Sequence, residues 1–156
     1  MALFLSTFMN KIDRKGRVSV PAPFRATLSQ STFQGIVVFR SFKCPALEGC
    51  GMERMLQLSE SVDRLDLFSD AQDDFAATLF ADAEQLIMDN EGRILMSEGL
   101  RDFAKIEEVA CFVGRGATFQ IWNPQDFERY QSAARARIKE QKETLRLELT
   151  ASRREN

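Results

Sequence analysis

The chain has 156 residues, 44% of them hydrophobic and 28% charged, and a formal net charge of -2. That length suits one domain or two closely packed halves, with enough buried surface to stand without disulfide or metal staples. It contains no histidine. A Ser-His-Asp or Cys-His pair, an imidazole base and a His-containing zinc site are therefore all excluded from this chain alone. Cys44, Cys50 and Cys111 are an odd set without a C-x-x-C pair, which reads as reduced cytosolic thiols and not as a disulfide framework or zinc site.

The apolar start, Met1 to Met9, has no basic leader and meets Lys11 too soon to span a membrane, so a first strand is expected there. Phe8, Asn10 and Ile12 then alternate with Met9 and Lys11. Val18 and Val20 alternate with Arg17 and Ser19, the period of half-buried strands. Asp13 suits the head of a type I turn and Gly16 the left-handed position that follows, so the stretch predicts a β-hairpin. Pro21, Pro23, Phe24 and Leu28 predict a short helix packed on it, and Gly35 to Arg40 a further strand. Helices are expected over Glu53 to Leu65 and over Ser69 to Phe80, the latter rich in acids and a candidate mobile linker.

At Met88 the pattern begins again. Ile12-Asp13-Arg14-Lys15-Gly16-Arg17-Val18 recurs 76 residues later as Met88-Asp89-Asn90-Glu91-Gly92-Arg93-Ile94, and Phe24-Arg25 lies in register with Leu100-Arg101. Ser97 caps a second short helix carrying Leu100 and Phe103, and strands are expected at Val109 to Val113 and Thr118 to Trp122. Asn123 and Pro124 open a long helix whose Phe127, Tyr130, Ala134, Ile138, Gln141, Leu145 and Leu149 form one largely apolar seam; beyond Ala151 a frayed terminus is expected.

Charge is segregated along this frame. Residues 1–45 carry seven Lys/Arg against Asp13 alone, residues 46–128 carry six basic and eighteen acidic residues, and the rest is basic again. A polyanion meets a positive field at the first block although the molecule is acidic overall. No G-x-x-x-x-G-K-[ST] or G-x-G-x-x-G occurs, and no carboxylate spacing marks an acid-base pair, so an enzyme is not expected.

The D-x-x-x-R in both copies, the PxxFR after the first and the NPxxF near the end resemble the MraZ family of bacterial transcriptional regulators. The Ala46-Leu-Glu-Gly-Cys-Gly51 stretch is similar to members from Gram-negative bacteria. The resemblance implies an α+β, mainly β fold. It would consist of tandem AbrB-like swapped-hairpin β-barrel modules at 5–54 and 83–126, joined by a helical acidic linker at 55–82 and followed by a C-terminal helix and tail at 127–156. It also implies a cytoplasmic, nucleoid-associated protein, without cofactor, metal or membrane contact. Such a protein assembles into a ring-shaped homo-oligomer and binds repeated boxes in the promoter region of the division and cell-wall gene cluster, its own gene included.

The family's DNA-contacting motif carries over to Asp13 and Arg17, and to Asp89 and Arg93. Arg17 and Arg93 are candidates for base or phosphate contact, Arg14 and Lys15 for phosphate, and Asp13, Gly16, Asp89 and Gly92 for forming the turns. Arg25 and Arg101 are expected to support the site by bonding helix ends or the turn aspartates. Asn90 and Glu91 replace the basic pair in the second loop, so the copies are not equivalent. The alternative is a ring-forming scaffold whose basic rim binds acidic proteins; RNA recognition is weaker, since no aromatic residue lies between Asp13 and Val20.

Overall fold

A computed structural model describes residues 2–141 and Leu145. In chain order its elements are β1 (Thr7–Lys11), β2 (Arg17–Ser19), α1 (Ala22–Leu28), β3 (Gly35–Arg40), β4 (Leu47–Cys50), α2 (Met52–Asp63) and α3 (Asp70–Phe75). A π-helical turn, Ala76–Phe80, follows, then β5 (Glu84–Ile87), β6 (Arg93–Leu95), α4 (Glu98–Ala104), β7 (Val109–Gly114), β8 (Phe119–Trp122) and α5 (Pro124–Gln141).

The two repeats interleave. Each strand of the first pairs antiparallel with a strand of the second: β1 with β7, β2 with β6, β3 with β5 and β4 with β8. Within a repeat only β3–β4 and β7–β8 pair. The result is a six-stranded sheet in the order β1-β7-β8-β4-β3-β5 and a separate ribbon, β2-β6. Exchanging the repeats maps this pairing onto itself, and the pseudo-twofold axis passes the Val18–Ile94 pair at the ribbon's centre.

The α+β, mainly antiparallel character is as expected, but two details differ. The six-stranded sheet is open, with β1 and β5 as its edges, and does not close into a barrel. The expected hairpins close only at their turns, where Asp13 N–H donates to Arg17 O and Asp89 N–H to Arg93 O, each at 2.9 Å; beyond that the arms part into different ladders. Period-2 alternation reports that a strand is half-buried and says nothing of its partner, so either pairing satisfies it.

The sheet is buried on both faces. On one, Phe4, Phe24, Phe112 and Phe119 meet with ring centroids 5.0–6.4 Å apart, beneath α1, α4 and the inward Val18 and Ile94 of the ribbon. Truncating a fully buried ring such as Phe24 to alanine costs about 3–5 kcal/mol. On the other face, α2 and the π-turn bury Met55, Val62 and Leu79 against Val37, Phe39 and Cys50, while α5 buries Phe127 beside Trp122, Cys111 and Val113.

Other expectations are adjusted. The strand near the N-terminus starts at Thr7, and Phe4 instead bridges to Gly116. The helix expected over Ser69 to Phe80 is broken where α3 widens into the π-turn. Phe75 is exposed, and so is Phe103, whose ring lies 5.9 Å beneath the Arg40 guanidinium. The α5 seam packs only as far as Ala134, since Ile138 and Leu145 are exposed; Leu149 and the terminus beyond Ala151 lie outside the described residues. Among the described residues no helix is long and apolar enough to cross a membrane.

Candidate nucleic-acid interface

Both D-x-x-x-R segments fold into the same self-bonded turn. Asp13 Oδ1 accepts from the backbone N–H groups of Lys15 and Arg17 at 2.9 Å, and its Oδ2 accepts from Arg17 Nε at 2.7 Å. Asp89 does the same for Glu91 N–H, Arg93 N–H and Arg93 Nε, all at 2.9 Å. Gly16 and Gly92 have φ of +89° and +76°, a region open to glycine at little cost. The backbone donations to each carboxylate, followed by the guanidinium's own bond and charge, hold both aspartates below their usual range. Asp89 in turn raises the Arg93 pKa through their side-chain hydrogen bond.

The ribbon brings the two turns together. Arg17 faces Leu95 and Ser19 faces Arg93 across β2–β6; these four side chains lie on one face, and Val18 and Ile94 are buried on the other. Arg17 and Arg93 thus occupy opposite corners of an outward plate, with the exposed Arg14 and Lys15 at one end and Asn90 and Glu91 at the other. Because each arginine bonds its aspartate through Nε, the outer guanidinium nitrogens remain the groups able to reach beyond the plate. Arg93 Nη2 is drawn back by Glu91 at 3.6 Å; among the described residues Arg17 has no second ion pair.

Arg25 and Arg101 bond the carbonyls of the residues just past β2 and β6, not the turn aspartates. Arg25 Nη1 donates to Val20 O, and Arg101 Nε to Met96 O at 3.1 Å. Each also lies beneath the turn of the opposite repeat. A Cβ on Gly92 would stand 2.5 Å from Arg25 Cδ, and one on Gly16 3.5 Å from Arg101 Nε and 2.9 Å from Met96 O. Reciprocal backbone bonds, Val20 N–H to Gly92 O and Met96 N–H to Gly16 O, both 2.9 Å, complete the exchange. The sequence reading missed Ser19 and Leu95 as face residues. Their signal was available, because each lies two positions beyond its arginine on an alternating strand.

A family model described as "MraZ protein, putative antitoxin-like" matches residues 79–149. Over 146 residues the chain is 42% identical to proteins named transcriptional regulator MraZ from Rickettsia canadensis (strain McKiel) and Rickettsia rickettsii (strain Sheila Smith). It is 40% identical to the one from Rickettsia akari (strain Hartford); each alignment covers 94% of this chain and 98% of the relative. The chain belongs to the MraZ family. The matching family model takes in the Asp89–Arg93 turn and the second repeat, and the likeness to MraZ relatives extends to the first, so both turns of the plate fall within it. Among the described residues no cluster of metal-ligating side chains is present.

Proposed function

We propose that this chain is a sequence-specific, double-stranded-DNA-binding transcriptional regulator and acts by binding, without catalysis or cofactor. The observation that carries the reading is the β2–β6 plate, which sets Arg17 and Arg93 on one exposed face of a two-stranded ribbon. A ribbon of this width fits the major groove, where an arginine pairs with guanine O6 and N7 and lysines and backbone N–H groups hold phosphate. Arg17 and Arg93 are the base or phosphate contacts, Arg14 and Lys15 hold phosphate, and Asp13, Gly16, Asp89 and Gly92 shape the turns. Arg25 and Arg101 brace them from below. Repeats 5–54 and 83–126 work as two halves of one reader, an intrachain form of the swapped hairpin, with 55–82 as the helical acidic linker between them.

The target is the promoter region of the division and cell-wall gene cluster, including the protein's own gene, in the nucleoid of the cytoplasm. One plate neutralising about three phosphates gives a log-log salt slope of only about -3, too shallow for tight binding. A ring-shaped homo-oligomer on repeated boxes adds slopes and raises local concentration. The test is a gel shift on the protein's own upstream region, with scrambled boxes as control. Retention of the intact boxes alone supports the reading; equal retention of both, or of neither, refutes it.

A further inference from the structure

A cleft of about 700 Å³ opens between the N-terminal segment, the end of α1, the first turns of α2 and the β7–β8 loop. Small-molecule sites fall in the range of about 300–1,000 Å³. The walls are fixed by bonds that leave the cleft's own charges free. Thr27 Oγ1 shares its proton between Pro23 O at 3.1 Å and Leu3 O at 3.2 Å, tying α1 to the N-terminal segment. Phe4 and Gly116 exchange backbone bonds at 2.7 and 3.0 Å, tying that segment to the β7–β8 loop. With the Phe4 ring fully buried, these walls are set before any ligand arrives.

Two opposite charges line this space without neutralising each other. Among the described residues neither Arg54 nor Glu53 has an ion-pair partner. Arg54 Nη1 donates to the neutral Gln57 Oε1 at 3.2 Å, and Arg54 Nε is buried without an acceptor. A half-buried guanidinium with one neutral acceptor retains much of its desolvation cost, which an anionic oxygen offsets best. Glu53, one residue earlier on α2, is an exposed carboxylate that can take a cation. The rest of the wall is largely small and apolar, with Ala2, Leu3, Ala26 and Ala117 contributing.

We infer that the cleft binds a small zwitterion of the amino-acid or short-peptide class. Arg54 holds its carboxylate, Glu53 its ammonium group, and the alanine-lined wall its small aliphatic side chains. A simple anion fits less well because Glu53 repels it, and a simple cation because Arg54 does. The side-chain amides of Gln30 and Gln57, which also line the cleft, offer the donors and acceptors that a peptide group requires. None of these residues belongs to the plate, so the inference does not rest on DNA binding.

The test is calorimetric titration of the full chain with alanine, dialanine and trialanine, each up to about 10 mM and at two temperatures. At least one is expected to bind. Its N-acetylated form and its carboxamide are each expected to bind about tenfold or more weakly, since each lacks one charge-assisted contact. Two variants separate the ends: in Glu53→Gln the acetylated form should bind as well as the parent compound, and in Arg54→Gln the carboxamide should. Glu53 is exposed and its replacement leaves the fold intact, so the ammonium end still decides if circular dichroism shows that Arg54→Gln is unfolded. Absence of binding by all three compounds at both temperatures overturns the site, and so does equal affinity for parent, acetylated and amidated forms. Tighter binding of the acetylated form than of the parent by the wild type assigns the cleft to simple anions and also overturns the inference.

Discussion

Replacing either turn glycine by alanine tests the crossed support of the plate. At Gly16 the new Cβ carries a left-handed penalty of about 1–2 kcal/mol. It also stands 2.9 Å from the Met96 carbonyl, a backbone atom in the residue whose N–H bonds Gly16 O. Easing the clash strains that bond, adding about 0.5–1.5 kcal/mol. The total is about 1.5–3.5 kcal/mol, and at about 2–4 °C per kcal/mol for a chain of this size Tm falls by about 3–14 °C.

At Gly92 the obstacle is the Arg25 side chain, 2.5 Å away at Cδ, which yields only by leaving the Val20 carbonyl. Gly92→Ala is therefore expected to lose its backbone penalty of about 1–2 kcal/mol plus roughly 1.5–3 kcal/mol for that charged hydrogen bond. In an Arg25→Ala background the second part is already gone, so the cost of Gly92→Ala shrinks to the backbone penalty. Chemical denaturation of the four proteins at one fixed chain concentration reads this coupling. Equal Gly92→Ala costs with and without Arg25 would refute the crossed contact, and alanine tolerated at both glycines would refute the turn geometry itself.

Arg17→Ala is expected to weaken binding to the intact boxes by about 5- to 150-fold, the equivalent of about 1–3 kcal/mol, measured by titrated gel shift. Arg93→Ala should cost less because Glu91 already draws on Arg93, and an equal or larger loss would contradict the asymmetry. By the same logic Glu91→Gln should tighten binding, and unchanged affinity would show that Glu91 does not restrain the plate. Because the folded pKa values of Asp13 and Asp89 are depressed, their turn bonds are complete above the ordinary aspartate range and are lost only as pH falls through the lowered values. Carboxyl NMR titration should place both below that range, and ordinary or raised values would remove the charge-assisted turn. Burial pushes the Cys50 thiol up to about 12 and that of Cys111 up to about 11, so alkylation near pH 8 should label Cys44 first and the other two only on unfolding. Fast labelling of Cys50 or Cys111 in the native protein would show that these sites open.

Local chemistry was legible wherever the information was local. The D-x-x-G-R segments gave both turns, Ser97 and Asn123 gave helix starts, and Gly35 to Arg40 gave a strand, because capping, alternation and left-handed glycine act within a few residues. Partnership was not legible. The alternation around Asp13 fits a closed hairpin and two splayed strands equally well, and the exchange between repeats rests on contacts made across 76 positions. β4 escaped notice because Leu47-Glu-Gly-Cys50 is short and holds a glycine, yet Gly49 is required there: a Cβ would stand 2.4 Å from the Phe119 ring. Arg25 was legible as a supporting residue but not as a support of the opposite repeat, since its position beneath Gly92 exists only after the halves interleave.

The plate's symmetry is broken in a way that bears on what it can read. Arg17 and Arg93 are equivalent about the Val18–Ile94 axis, but the other two corners are Ser19, a hydroxyl, and the exposed Leu95, an alkyl group. A hydroxyl donates to or accepts from a base edge, whereas an alkyl group is rewarded by a thymine methyl and leaves a polar edge unpaired. The loops break the symmetry in the same sense, since Arg14 and Lys15 adjoin one end of the ribbon and Asn90 and Glu91 the other. A reader built from two identical chains would favour a palindromic site. Fusing the copies into one chain allows the corners to differ, so on the proposed function each box is read in a single orientation, with the guanine-seeking arginines fixing the spacing and the Ser19 and Leu95 corners fixing the direction.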